Sequence, residues 1–212
     1  MPHAGIAMVR LCEVFFLWTE NPRDTLAEAM TSARAALAAD PLESTAYAAL
    51  GLVLALTGKH DEALAMCSKG IELNPSSAFG YHVLCVTRMC LGEPEAAIKA
   101  IEIAIRISPN DVVLPVWLAL LSAGHYLARN YEKAAEVASL AVQRGPNYSL
   151  GWRCLASALG QLARLDEARE ALEQFLARTP GFTSQTARLG AFRDEAVFQH
   201  WLEGLRKAGW KG

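Results

Sequence analysis

Five prolines divide the sequence into segments of nearly equal length. Successive prolines are 34 residues apart, except for one interval of 37, and each closes a similar phrase such as ARAALAADP or IEIAIRISP: Pro41, Pro75, Pro109, Pro146 and Pro180. Because proline has no backbone N–H and cannot continue a helix, each is expected to end a structural unit. A fixed period of this size is typical of repeat proteins, in which each unit stacks on the next.

Small residues recur inside these segments. The second half of every segment carries an alanine at the same place: Ala29, Ala63, Ala97, Ala134 and Ala168. The first half carries a small residue in four of the five segments: Gly51, Cys85, Ser122 and Ala156. Two antiparallel helices approach closely only where the side chains between them are small, because overpacking such a crossing costs about 1–3 kcal/mol. Small residues at two fixed places in each segment are thus what a close crossing of two helices requires.

The period and the small positions resemble the tetratricopeptide repeat family over nearly the full chain. The resemblance implies an all-α, right-handed solenoid of about five helix–turn–helix repeats over 1–181, at approximately 4–41, 42–75, 76–109, 110–146 and 147–181. Two repeats depart from the family pattern. The first has Glu13 and Leu17 where an aromatic and a small residue are expected, and the fourth carries three extra residues in NDVVLPVW, so that its first helix is expected to start near Leu114–Trp117.

The C-terminal residues predict one further helix. A polar loop over 182–193 precedes a region, 194–212, in which Phe198, Trp201, Leu202 and Leu205 share one helical stripe. Asp194 is a suitable N-cap and Gly209 a suitable stop. Because a repeat stack needs a cap over its last unit, we expect Asp194 to Ala208 to form a capping helix.

Composition excludes several classes of protein. The chain is 52% hydrophobic and 20% charged with a formal net charge of -2, which argues against disorder and against a basic nucleic-acid surface. The longest apolar run, over 46–58, is shorter than the ~20 residues of a membrane-spanning helix. The start of the chain does not resemble a signal peptide, and five cysteines without a regular framework favour free thiols. We therefore expect a cytoplasmic protein with no nucleic-acid or membrane partner.

Signatures of catalysis are absent from the sequence. It contains no glycine-rich phosphate loop and no HExxH motif, and the spacing of Cys85 and Cys90 is not that of zinc ligands. His60 and His125 are weak candidates for acid–base or ligand roles. We predict no catalytic residue, no cofactor and no metal site.

The tetratricopeptide resemblance also implies a concave groove lined by the first helix of each repeat. The residues expected to line it and to contact a partner are Leu52, Phe79, His82, Val83, Val86, Met89, Leu120, Ala123, Tyr126, Leu150, Arg153 and Ser157. Family members that bind a peptide carboxylate use several basic residues there, whereas this groove offers only Arg153. A mostly apolar groove suits an amphipathic helix or an extended apolar segment, with specificity from His82, Tyr126 and Arg153. The sequence leaves open whether another element of the chain, or a second copy, fills the groove.

The first helix poses a separate problem, because Ile6 to Trp18 is apolar on nearly all sides. A surface helix normally keeps a polar face. Three interpretations remain open: the helix is a self-association surface that forms a homodimer, it is covered by a domain that precedes it, or it tucks under the second repeat.

A narrower resemblance concerns the tail. The pattern FRD-(x)7-LEGLRKAG, which follows the repeats, is similar to the C-terminal region of bacterial class III adenylate/guanylate cyclases and of related winged-helix regulators. The sequence thus predicts a non-catalytic protein–protein interaction module with a protein or peptide partner. The alternative is the regulatory or dimerisation region of a signalling protein of that kind, whose effector domain is not in this chain.

Overall fold

The computed structural model describes residues 2–15, 18–187 and 192–212, and within them the regular secondary structure is entirely helical. The helices are α1 (Pro2–Phe15), α2 (Pro22–Ala39), α3 (Ser44–Leu56), α4 (His60–Leu73), α5 (Ala78–Cys90), α6 (Pro94–Ile107), α7 (Leu114–Leu127), α8 (Tyr131–Arg144), α9 (Ser149–Gln161), α10 (Leu165–Arg178), the single turn α11 (Ser184–Ala187) and α12 (Glu195–Lys207).

The first ten helices form five hairpins that stack in chain order. Each odd-numbered helix packs on the helix that follows it, and each even-numbered helix from α2 to α8 packs on the first helix of the next hairpin. The first helices also contact one another, from α1 through α3, α5 and α7 to α9. The result is the two-layered all-α solenoid that the repeat pattern predicts.

The small positions lie where the two helices of a hairpin cross. The five repeated alanines are fully buried, and a Cβ added to Gly51 would lie 3.1 Å from the sulfur of Cys67 in the facing helix. A second small position in the second helices, held by Ala36, Gly70, Ala104 and Ala141, is occupied in the last hairpin by Phe175. Phe175 packs edge-on against Phe182, with ring centroids 4.7 Å apart. The close crossings thus follow directly from the pattern of small residues.

Four of the hairpins turn in the same way. Two residues after the last residue of the first helix, each has a residue with positive φ: Gly58, Gly92, Arg129 and Ala163. In each case the next residue donates its backbone N–H to the carbonyl five positions before it, as Lys59 does to Leu54 and Arg164 to Leu159. This is the hydrogen bond of a Schellman C-cap, in which glycine is the usual left-handed residue. The turn geometry is therefore the same in all four hairpins, including the two in which Arg129 and Ala163 replace the glycine.

The two irregular repeats keep their hairpins. In the fourth, α7 begins at Leu114 with Pro115 in its first turn, as the three-residue insertion predicts. In the first, α1 begins at Pro2, and Glu13 forms an ion pair with Arg10 at 2.9 Å. Leu17, the other irregular position of that repeat, lies outside the described residues.

The C-terminal helix forms where the sequence predicts it, but it does not cap the stack in the expected way. The side chain of Asp194 accepts a hydrogen bond from the backbone N–H of Ala196 at 2.8 Å, so it is the N-cap of α12. A helix continuing the stack would pack on α9 and α10, just as α9 packs on α7 and α8. Instead α12 packs on α9 and reaches α7, so it lies against the layer of first helices. Among the described residues, no helix is long and apolar enough to cross a membrane.

Candidate functional site

The candidate site is the surface of α3, α5, α7 and α9 that carries the twelve predicted groove residues, which we call the concave face. Nine of them are buried, and three, Phe79, Leu150 and Arg153, are half-buried. The chain's own C-terminal segment, residues 192–210, contributes to this cover: α12 lies over α7 and α9, and Phe192 and Trp201 line a cavity next to Val86 and Leu150. Of the occupants that the sequence leaves open, the structure therefore places an element of the same chain on the concave face.

Backbone contact defines the crossing of α9 and α12. A Cβ built on Gly160 would lie 2.2 Å from the carbonyl oxygen of Gly204, and one built on Gly204 would lie 2.3 Å from the carbonyl oxygen of Ser157. Real Cβ atoms do not approach backbone this closely, so both positions require glycine. The backbone of the predicted groove residue Ser157 thus forms part of this crossing, and it leaves no room for a side chain at position 204.

Tyr126 ties α12 to α7 through its hydroxyl group. The hydroxyl donates to the carbonyl of His200 at 2.8 Å and accepts from the backbone N–H of Gly204 at 3.0 Å. It also accepts from the side-chain amide of Gln161 at 3.0 Å, and the Tyr126 ring stacks on His200 with centroids 4.9 Å apart. Burial raises the pKa of Tyr126 to about 12, so the hydroxyl stays protonated and can donate at neutral pH.

Over α3 and α5 the segment is held differently. The backbone N–H of Arg193 donates to the carbonyl of Cys90 at the end of α5, at 2.8 Å. Its guanidinium forms an ion pair with Asp61 at 2.7 Å, and both side chains are largely exposed. The ring of Phe192 lies 5.7 Å from that of Trp201. In the part of the chain that the structure describes, this contact rests on a main-chain hydrogen bond, a surface ion pair with a residue of α4, and apolar side chains.

His82, predicted to contact a partner, lies in the interior. Its Nδ1 accepts a hydrogen bond from the indole N–H of Trp117 at 3.3 Å, and the rings of Phe15 and Phe79 meet it edge-on. Its Nε2 is buried and has no hydrogen-bond partner among the described residues. Burial lowers the pKa of His82 to about 4, so the imidazole is neutral at physiological pH.

Arg153 is the basic residue of the predicted groove, and it lies under α12. Its guanidinium carbon is 4.9 Å from the centroid of the Trp201 ring, which is the geometry of a cation–π contact. Its Nε is buried without a hydrogen-bond partner among the described residues. Beside it lies a cavity of about 110 Å³, whose wall includes five of the predicted groove residues: Val86, Met89, Leu120, Leu150 and Arg153.

The structure thus divides the predicted groove residues into three groups. Five line this cavity. Ala123, Tyr126 and Ser157, together with Arg153, surround a smaller gap beneath Trp201. Leu52, Phe79, His82 and Val83 belong to the packed core around α3 and α5.

No chemistry of metals or thiols is indicated in the part of the chain that the structure describes. It contains no cluster of histidine, cysteine and carboxylate side chains able to hold a metal ion. Burial raises the pKa of the Cys67 and Cys154 thiols to about 11, and it raises the pKa of Cys85 and Cys90 as well. These four cysteines act as small apolar residues of the core.

Comparison with known proteins supports the repeat assignment. A family model of the tetratricopeptide repeat matches residues 25–78. Among solved structures, the chain is similar to PilW, a widely conserved type IV pilus biogenesis factor, with 14% identity and a TM-score of 0.67 over 96% of this chain and 89% of that one. It is also similar to a thermophilic TPR protein of Thermus thermophilus, with 18% identity and a TM-score of 0.67 over 94% and 99%. The chain has the fold of a tetratricopeptide solenoid.

A third similar structure is that of a protein described by its binding site. YrrB, described as a TPR protein with an unusual peptide-binding site, shares 18% identity and a TM-score of 0.55 over 83% of this chain and 90% of that one. At these identities the likeness establishes the fold alone. The sequence finds no match among curated proteins.

The sequence analysis did not identify the residues at which α12 packs on the concave face, Gly160 and Gly204. Gly160 stands at the groove position that carries Ala55, Met89 and Tyr126 in the preceding repeats, so the sequence places it on the concave face. A glycine inside a helix is unfavourable by about 1 kcal/mol relative to alanine, and Gly160 and Gly204 both lie in the last turn of their helices, α9 and α12. Two such glycines in helices with otherwise good propensity were the available signal of a close crossing.

Proposed function

We propose that this chain is a non-catalytic protein–protein interaction module that binds a helical or extended apolar segment on its concave face. In this proposal the partner segment takes the place that α12 holds in the structure, or extends along α3 and α5 next to it. Binding would then require that the partner segment displaces α12 from the concave face or binds beside it.

The observation that carries this proposal is the docking of α12. An amphipathic helix already lies on α7 and α9, with Phe198, Leu202 and Leu205 buried and the exposed Glu195 and Arg206 on its outer side. A groove that receives a helix of the same chain has the shape and hydrogen-bonding groups to receive a similar helix from another. The peptide-binding site named for YrrB supports a binding role on this type of fold.

The experiment that tests this proposal releases α12 from the concave face by a substitution in α12 and then measures whether the face binds a separate copy of that helix. Gly204→Leu alters only the docked helix, because the added side chain would collide with the backbone of Ser157, and it leaves the concave face unchanged. We expect a fluorescent peptide of residues 192–212 to bind this variant in trans and to bind the unaltered chain much more weakly, since there the face is occupied. Fluorescence anisotropy measures both affinities.

Two controls make the outcome decisive. A peptide that itself carries Gly204→Leu should not bind, and a chain that carries both Gly160→Leu and Gly204→Leu should not bind the unaltered peptide. If the folded Gly204→Leu chain, checked by circular dichroism, binds neither peptide, then the concave face is not a helix-binding surface.

The alternative, a regulatory region of a bacterial adenylate/guanylate cyclase or transcriptional regulator, is favoured by one observation. The residues that carry the resemblance to those proteins, Phe192, Arg193, Asp194 and 202–209, belong to the segment that closes the concave face. In such a protein, release of the segment would signal to an effector domain. Reading the codons upstream of Met1 for an in-frame catalytic or DNA-binding domain tests this alternative.

Self-association through α1 is a second candidate for the partner. Ile6 and Val9 lie on one side of α1 and are 46% and 59% exposed. Analytical ultracentrifugation of the chain with and without Ile6→Glu tests it: a homodimer that rests on α1 dissociates in the variant, whereas a chain that sediments as a monomer in both forms excludes this partner.

A further inference from the structure

Arg153 is a cation for which the described residues provide no anion. Its Nε has no hydrogen-bond acceptor, and no carboxylate of the described residues contributes to its electrostatic environment. The Trp201 ring at 4.9 Å offers the face of an aromatic system, which attracts a cation but gives its N–H groups no lone pair to bind. The residue is half-buried and its Nε is fully buried, and a charge withdrawn from water is costly unless an opposite charge and hydrogen-bond acceptors compensate it.

Apart from Arg153, Ser149 and Thr186, the residues that line the cavity are apolar. The concave face contributes Val86, Met89 and Leu120 to its wall, and the C-terminal part of the chain contributes Phe182 and Phe192. Its volume of about 110 Å³ is somewhat smaller than the ~150 Å³ of an engineered apolar cavity that holds benzene. It is too small for an α-helix, which is about 10–12 Å across with its side chains. The cavity therefore fits a short apolar group.

We propose that this cavity binds an apolar monocarboxylate, with the carboxylate on Arg153 and the hydrocarbon chain among Val86, Leu120 and Phe192. A guanidinium matches a carboxylate through two parallel hydrogen bonds, which would supply both the missing charge and the missing acceptor. A neutral ligand would leave the charge of Arg153 uncompensated. The second carboxylate of a dicarboxylate ligand would find no cation among the residues that line the cavity. The carboxylate has two possible sources, a free short-chain acid or the C-terminus of an apolar peptide.

This inference is independent of the proposed function. Phe192 and Trp201 form part of the cavity wall, so the cavity exists only while the C-terminal segment covers the concave face. A ligand in the cavity would therefore favour the closed arrangement, whereas a partner helix in place of α12 would remove the cavity. The failure of one proposal does not imply the failure of the other.

Calorimetric titration of the full chain with hexanoate, hexanol and N-acetylleucine tests the site. We expect hexanoate or N-acetylleucine to bind at least tenfold more tightly than hexanol, because hexanol lacks the charge that Arg153 needs. A tighter complex with hexanoate identifies a free acid as the source, and a tighter complex with N-acetylleucine identifies a peptide terminus.

Two arginine variants provide the contrast. Arg153→Met should weaken binding of the acid at least tenfold, to the level of hexanol. Arg178→Met is the matched control, because Arg178 also lies over a tryptophan, Trp152, at 5.4 Å, but donates from its Nε to the carbonyl of Pro146 and does not line the cavity. Equal binding of hexanoate and hexanol by the unaltered chain would overturn the proposal, whatever the stability of the variants. So would an Arg153→Met chain that binds the acid unchanged, or the absence of binding by both acids at millimolar concentration.

Discussion

The two halves of the concave face hold the same C-terminal segment by different means. Over α7 and α9 the face presents a hydroxyl group and a glycine, Tyr126 and Gly160, and a helix packs on it backbone to backbone. Towards α3 and α5 it presents apolar side chains, and among the described residues the segment is fixed by a main-chain hydrogen bond from Arg193 to Cys90 at the end of α5 and by an exposed ion pair with Asp61 at the start of α4.

This difference shows where the specificity for α12 resides. Many different apolar side chains could fill an apolar contact. A close helix crossing and a buried hydroxyl group with three hydrogen-bond partners, by contrast, permit few substitutions. We therefore infer that the half over α7 and α9 selects the helix and that the half over α3 and α5 adds area. Single substitutions in the two halves can test this inference.

The largest effect is expected at the helix crossing. Gly160→Leu would place a side chain where the Gly204 carbonyl lies, so α12 cannot stay docked in its present position, and we expect a loss of about 3 kcal/mol or more in the free energy of unfolding. Urea unfolding followed by circular dichroism measures it.

The matched variant is Gly51→Leu in α3, where the nearest atom to an added Cβ is the sulfur of Cys67, a side chain that can move. We expect a smaller loss there, about 1–3 kcal/mol. If the two variants lose the same free energy of unfolding, the α9–α12 crossing is no tighter than a crossing inside a hairpin. An unchanged Gly51→Leu chain would show that the predicted register of the second repeat is wrong.

The next effect concerns pH and the half over α3 and α5. His82 has a pKa of about 4 in the folded chain, below the ~6.5 of an exposed histidine, so acid protonates the unfolded state first. Its contribution to stability is complete above pH 6.5 and is lost as the pH falls towards 4, with a loss of about 2 kcal/mol between pH 7 and pH 5. Denaturant unfolding across this range measures the slope. His82→Leu should flatten it, and a variant with the parental slope would assign the acid sensitivity to other groups.

A moderate effect is expected for the hydroxyl that binds α12. Tyr126→Phe removes three hydrogen bonds, but the two main-chain partners, His200 and Gly204, are one helical turn apart and can still pair with each other. We therefore expect a loss of about 1–2 kcal/mol in urea unfolding. Tyr47→Phe is the control, since the half-buried Tyr47 makes no such contact with α12. Equal losses in the two variants would contradict a special role for Tyr126.

Much of the fold could be predicted from the sequence, because it is a property of local patterns. The alanine in each second helix, the prolines that end each repeat and the three-residue insertion before Leu114 all act within a few turns of helix. The four helix hairpins from α3 to α10 follow from them. The candidate site was predicted less well, because its main contact joins Gly160 to Gly204, which are far apart in the chain and share no repeat.

The fate of His82 illustrates the same limit. Its repeat position assigns it to the concave face, and that placement is a sound reading of helical periodicity. Its burial comes from the rings of Phe15, Phe79 and Trp117 in the stacked helices α1, α5 and α7, and the periodicity of one helix carries no information on how neighbouring repeats pack against it. Arg153 is intermediate: its position was predicted, but the Trp201 ring above it was not.

The smallest effect is expected for the ion pair between Arg193 and Asp61. Both side chains are largely exposed, at 51% and 88%, and exposed pairs contribute little because water and salt screen them. We therefore expect Asp61→Asn to change the free energy of unfolding by less than about 0.5 kcal/mol, and 1 M salt to remove even this difference. Urea unfolding at low and high salt measures both. A larger loss that persists in salt would mean that the half over α3 and α5 also selects the segment, because only a specific, desolvated contact resists screening.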